Sequence, residues 1–170
     1  GHLHHSFKGE LAAISNQLSP GDCTFNRLSY FGTISINRRQ PSLKGPLRLT
    51  EMECGNGSTR AEDMAAEISV TLGEDLASWD GHAGLIGGPV RYAAYSTQEI
   101  KSTVRFKGDV EQSSGDIELT ASGLNSPYGR AETGRINGPF ALGYGGEQMT
   151  ARFEGQPDIR TAKLNESLMR

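Results

Sequence analysis

Short runs in which apolar and polar residues alternate recur along this chain, and they constrain its fold more than any other feature. The alternation is clean in Thr33-Ile34-Ser35-Ile36-Asn37, in Glu67-Ile68-Ser69-Val70-Thr71-Leu72 and in Ser102-Thr103-Val104-Arg105-Phe106. It returns in Asp116-Ile117-Glu118-Leu119-Thr120 and in Gln148-Met149-Thr150-Ala151-Arg152-Phe153. Successive side chains of a strand point to opposite faces, so each run puts its apolar members on one side and its polar members on the other. One-sided strands in series predict an antiparallel sheet with a dry face and a wet face. Parallel strands would need crossover helices and would read as continuous apolar runs. Helical signal is scarce: residues 62–67 fit a single turn, and Asn165 is placed to cap a short helix holding Leu168 and Met169.

A second regularity is a large apolar residue, a polar residue and then glycine. It occurs as Phe7-Lys8-Gly9, Leu43-Lys44-Gly45, Trp79-Asp80-Gly81, Phe106-Lys107-Gly108, Ile136-Asn137-Gly138 and Phe153-Glu154-Gly155. Two copies continue into proline, as Gly45-Pro46 and Gly138-Pro139. Glycine within a strand marks a bulge or a sharp bend, and proline is tolerated where a strand begins. A sheet bent repeatedly in this way curls. The plainer alternative is that each glycine ends a strand at a hairpin, as Gly143-Tyr144-Gly145-Gly146 is expected to do. The fold class expected is all-β: a curved, mostly antiparallel sheet forming an open, jelly-roll-like groove with at most short helical turns, or alternatively a closed β-sandwich.

At 170 residues the chain is expected to be one domain, or one segment of a longer repetitive architecture. Residues 7–170 read as a single β-rich segment, and residues 1–6 as a purification remnant or a leading strand. Mean hydropathy is -0.48 and the formal charge is -3, which fits neither disorder nor a membrane-spanning bundle. Basic residues are scattered with no Lys/Arg stripe, so nucleic acid is not an expected partner. No stretch reaches the ~20 apolar residues of a spanning helix, and an export signal or anchor is expected to lie outside this sequence.

Candidate chemistry is sparse. His2, His4 and His5 have no Asp, Glu or Cys at a ligand-like spacing, so no metal site is expected. Cys23 and Cys54 lack a CxxC or histidine partner, and are read either as separate buried thiols or as one disulfide. No phosphate loop, GxSxG, HExxH or calcium loop is present, and no cofactor is expected. His82 could act as a base oriented by Asp80, but a surface histidine in a turn is the simpler reading. The carboxylate pairs Glu51 with Glu53, Glu62 with Asp63, and Glu74 with Asp75 receive no role, and the triplets Asn56-Gly57-Ser58 and Asn165-Glu166-Ser167 match the glycosylation sequon without further support. The chain is therefore not expected to be an enzyme. What remains is the dry face itself: Ile68, Val70, Leu72, Val104, Phe106, Ile117, Leu119, Phe140, Leu142 and Phe153. In a closed sandwich these residues only pack; in a curled, open sheet they line a channel for an acyl chain.

Strings such as Leu43-Lys44-Gly45-Pro46-Leu47-Arg48-Leu49 and Val104-Arg105-Phe106-Lys107-Gly108-Asp109-Val110 resemble the AsmA-like family of periplasmic proteins, nearest in style to its YdbH-type, TamB-related members. Gly115-Asp116-Ile117-Glu118-Leu119-Thr120-Ala121, Arg135-Ile136-Asn137-Gly138-Pro139-Phe140-Ala141-Leu142 and the closing stretch 162–169 are similar in the same way, as is the placement of Cys23 and Cys54 around an alternating stretch. The resemblance covers most of the chain after Phe7. It implies a long curved sheet, a β-taco, whose apolar interior lets phospholipid move between inner and outer membranes. It implies periplasmic location, an N-terminal inner-membrane helix beyond this sequence, and as partners phospholipid and further segments of the same protein. The family offers no catalytic residues to carry over. The rivals are a sandwich used for adhesion or scaffolding, and a secreted hydrolase or lectin with its site on a loop at residues 79–88.

Overall fold

The computed structural model describes residues 6–143 and 150–164. These residues form twelve β-strands and no helix: β1 (Phe7–Leu18), β2 (Cys23–Asn37), β3 (Gln40–Cys54), β4 (Thr59–Leu72), β5 (Ser78–Gly87), β6 (Val90–Tyr92), β7 (Tyr95–Thr97), β8 (Glu99–Asp109), β9 (Gln112–Ser126), β10 (Gly129–Gly143), β11 (Thr150–Phe153) and β12 (Gln156–Leu164). All belong to one antiparallel sheet, in the order β1-β2-β3-β4-β5-β8-β9-β10-β11. β5 and β6 together run along β4, β7 and β8 along β9, and β11 and β12 share the outer side of β10. The chain therefore passes up and down through nine lanes, each hydrogen-bonded to the lane before it. Every connection is local, as one-sided antiparallel strands require.

The all-β, single-sheet expectation holds, and several local expectations change. Residues 62–67 make no helical turn; they lie inside β4. Residues 79–88 are not a loop either: all but Gly88 belong to β5, in the middle of the sheet. The glycines of the repeated tripeptide sit within strands at Gly9, Gly45, Gly81, Gly108 and Gly138, rather than ending them at hairpins. Gly45-Pro46 and Gly138-Pro139 likewise lie inside long strands. Proline is tolerated there because the ladder is broken on one side: β2 and β3 make no bridge between Thr33–Lys44 and Tyr30–Leu47, and β11 gives way to β12 beside Gly138 and Pro139. The Gly143 to Gly146 hairpin, the His2, His4 and His5 cluster and the Asn165 helix cap fall outside the described residues.

The tripeptide has a packing meaning. Residues two apart share a face, and a Cβ on Gly9 would meet the Phe7 ring at 3.0 Å, while one on Gly155 would collide with the Phe153 ring. The ring lies over the bare glycine backbone and covers it. Phe106 does the same across strands: it sits opposite Gly81, and a Cβ there would be 2.9 Å from its ring. At Gly115 the neighbour is backbone, because an added Cβ would run into the Arg105 carbonyl. Gly115→Val is therefore expected to lower stability by about 2–3 kcal/mol in urea denaturation. Gly84→Ala, where nothing lies within 4 Å of the added Cβ, is expected to change it by less than about 0.5 kcal/mol.

A crease crosses the sheet. In strand after strand the apolar positions step by two, then once by three: Phe25 to Leu28, Leu49 to Met52, Ala61 to Met64, Ala121 to Leu124, Ala131 to Gly134 and Ile159 to Ala162. Left-handed backbone stands inside these steps at Arg27 (φ 53°), Asp63 (φ 51°), Gly123 (φ 62°) and Thr161 (φ 52°). The steps are aligned in register: Leu28, Leu49 and Met64 are cross-strand partners on one side of the line, and Phe25, Met52 and Ala61 on the other. One residue of slip would normally send every following side chain to the wrong face. In β2, β4, β9 and β12 a left-handed residue stands at the step, while β3 and β10 take the step without one, and apolar residues stay together across the line. Leu124 accordingly lies 2.8 Å from the Cβ position of Gly134, the partner of Ala121.

The sheet has no second layer against it among the described residues, and the closed-sandwich alternative is not what these strands build. Among the described residues only Tyr30, Ala61 and Ala121 are buried hydrophobic residues. The accessible surface is 12392 Å², well above the ~8,100 Å² of a compact monomer of this mass.

Candidate functional site: the apolar sheet face

Register assembles the apolar face into rows. The longest runs through every lane: Gly9, Ile34, Leu43, Val70, Gly81, Phe106, Gly115, Phe140 and Phe153 are successive partners. At ~4.8 Å per strand the eight steps span roughly 38 Å. The next row toward the crease holds Ile68, Ala83, Val104, Ile117 and Gly138. The third holds Tyr30, Leu47, Ala66, Leu85, Ser102, Leu119 and Ile136. On the far side of the longest row, Leu72, Trp79, Gly108, Ser113 and Leu142 are partners, and the Trp79 indole N–H donates to Ser113 Oγ at 3.2 Å. All ten residues expected on the dry face thus share one side of the sheet, in four adjacent rows that contain no charged residue.

The face is half-buried rather than sealed. Phe153 is 44% exposed, Leu11 41% and Phe7 54%. Beyond the crease it ends in a cleft of about 400 Å³ whose walls include Val90, Tyr92, Tyr95, Leu124, Tyr128 and Ile159. These tyrosines were not among the expected site residues. The signal that could have found them is the spacing Tyr92-Ala93-Ala94-Tyr95, a two-residue turn that makes the two rings cross-strand partners.

Tyr30 is the one buried phenol among the described residues. Its hydroxyl lies against Gly32 and has no hydrogen-bond partner among the described residues. Burial, and secondarily the Glu67 carboxylate, push its pKa above the ordinary tyrosine value. The neutral form is the favoured one in the folded sheet, so Tyr30 costs nothing extra below pH ~10 and lowers stability as pH rises through its folded pKa. Tyr30→Phe is expected to remove the late component of a spectrophotometric tyrosine titration. It should also leave stability unchanged or raise it by about 1 kcal/mol, because an unpaired buried hydroxyl is lost.

The opposite face is a lattice of exposed polar side chains. His82 faces Arg105, which faces Asp116, and Asp80 faces Lys107. No hydrogen bond joins Asp80 to His82 among the described residues, and His82 stands on a strand, not in the turn expected for it. Glu51 and Glu62 both pair with Arg60, the latter at 3.0 Å from Nε. Asp75 accepts from the Ala77 amide, the Ser78 hydroxyl and the Ser78 amide and closes the turn before β5, and these hydrogen bonds, the Ala77 amide's first, hold its carboxyl below the usual range. Asn56 lies in the exposed turn between β3 and β4.

Cys23 and Cys54 are direct cross-strand partners and form a disulfide, which settles the two readings left open by their spacing. A bond of this kind is compatible with an oxidising, exported setting. No helix among the described residues is long and apolar enough to cross a membrane. Fold and face together define an open, single-layer antiparallel β-sheet with one uncharged apolar side, stapled by a disulfide. Comparison with protein-family models, with curated proteins and with solved structures found no match to this chain.

Proposed function

We propose that this chain is a periplasmic segment of an AsmA-like protein that binds lipid acyl chains along its apolar sheet face and supports phospholipid transport between inner and outer membranes. The observation that carries the reading is the uncharged face itself, continuous through all nine lanes and uncovered by a second layer. An acyl chain lying in water exposes ~0.8 kcal/mol of unfavourable surface per CH₂, so a continuous apolar track lowers the barrier to its movement without chemistry. No catalytic residue is assigned, and the residues act collectively. Among the described residues the outer edges, β1 on one side and β11 with β12 on the other, pair with no further strand, and neighbouring segments of the same protein can add to them. Titration with a fluorescent acyl-chain probe tests the reading: saturable binding is expected, and an absence of binding would overturn it.

A further inference from the structure

A second concavity lies past the crease, on the face opposite the apolar one. Its floor is a row of successive cross-strand partners: Arg60, Arg91, Ser96, Asn125, Arg130 and Lys163. Neighbouring residues on a strand face opposite ways, so this row is on the other side from Tyr92 and Leu124. The residues line a cleft of about 530 Å³. Basic residues that are scattered in the sequence therefore do form a short stripe in space.

The charges are arranged for a ligand rather than for one another. Elsewhere on this face opposite signs meet across strands at Arg105 and Asp116 and at Glu53 and Arg60, and the one opposed acidic pair beside the cleft, Glu51 and Glu62, is bridged by Arg60. Here like charges are directly opposed, Arg60 to Arg91 and Arg130 to Lys163, an arrangement that destabilises a sheet unless an anion lies between them. Arg60 is held by Glu51 and Glu62. Among the described residues no carboxylate pairs with Arg91, Arg130 or Lys163, and the one other acid lining the cleft is Glu132. The residues lining the cleft carry four cations, Arg60, Arg91, Arg130 and Lys163, against two carboxylates, Glu62 and Glu132, and the cations without a carboxylate partner are gathered at the Arg91, Arg130 and Lys163 end. Asn125 Oδ1 accepts from Arg130 Nε at 3.2 Å, which steadies the guanidinium and leaves its two terminal nitrogens unengaged.

We propose that this cleft binds a phosphate-bearing anion. Arg91 and Arg130 supply paired N–H donors that match two phosphate oxygens, Lys163 adds a third charge, and the Ser96 hydroxyl and Asn125 amide donate beside them. The phosphate can belong to a small soluble ester or to a lipid headgroup. The side chains of the row point away from the acyl-chain track, while Val90, Thr97, Leu124, Ala131 and Lys163 line both this cleft and the apolar one.

The test is an amide NMR titration of the full chain at constant ionic strength. One arm uses inorganic phosphate, and the other uses a short-chain phosphatidylglycerol below its micelle concentration. Saturable shifts at Arg91, Ser96, Asn125 and Arg130 are expected, weakened about tenfold or more in Arg91→Gln/Arg130→Gln with the remaining spectrum unchanged. Shifts with phosphate alone assign a soluble phosphate, and shifts with the lipid alone assign a headgroup. Should the double variant fail to fold, Lys163→Gln on the outer lane serves, with about threefold weakening expected. No saturable shift in either arm, or shifts undiminished in the variants, would overturn the proposal.

Discussion

Replacing Cys23 and Cys54 with serine is expected to lower the stability of the sheet by about 3–4 kcal/mol. The bond closes a stretch with a sequence separation of 31, and its main effect is to remove conformations from the unfolded chain. Three further features raise its importance. It joins β2 and β3 at the strand ends, beyond the crease, where Arg27 interrupts the regular ladder. A single-layer sheet has few buried contacts to offset its loss, with only three buried hydrophobic residues among those described. In a domain of this size each kcal/mol moves the melting midpoint by roughly 2–4 °C, so a fall of about 10 °C is expected. Urea and thermal unfolding with and without reductant should give the same loss as the double variant. A difference below about 1 kcal/mol would mean that the bond restrains neither state.

Val104→Asp and Ile117→Asp are expected to weaken acyl-chain binding by about thirtyfold or more, roughly 2 kcal/mol, while the sheet still folds. The two residues are direct partners in the centre of the apolar face. A carboxylate there puts a hydrated charge in the path of the chain, and binding would have to strip its water. Both positions are only half-buried, so in the free protein the charge remains solvated and the expected stability loss is about 1 kcal/mol. Thr120→Asp, on the polar face between Lys101 and Arg135, is the control and should weaken neither quantity. A sealed core would respond in the opposite way, with unfolding as the main effect. Circular dichroism together with probe titration separates the two outcomes.

The alternation in Thr33 to Asn37 or in Asp116 to Thr120 was enough to read strands, their one-sidedness and the membership of the dry face, because period two depends only on the pleat. What the same pattern concealed was its own change of phase. Asn26-Arg27 and Glu62-Asp63 look like noise, or like one turn of helix, when each run is read alone. Only register shows that all such pairs fall on one line. Residues 79–88 read as a loop because Gly81, Gly84 and Gly87 are turn-formers, yet the Phe106 ring lies over Gly81 and the strand continues. The basic cleft could not be read from sequence at all. Arg60, Arg91, Arg130 and Lys163 are separated by at least thirty positions each, and cross-strand pairing is what brings them into one row.

The most direct test of the open apolar face as a lipid track is native mass spectrometry of the full chain, combined with lipid extraction of the same purified sample. Phospholipid that co-purifies, on a chain two hydrogens lighter than its reduced form, is the expected result. A lipid-free chain that also leaves an acyl-chain probe unbound would contradict it.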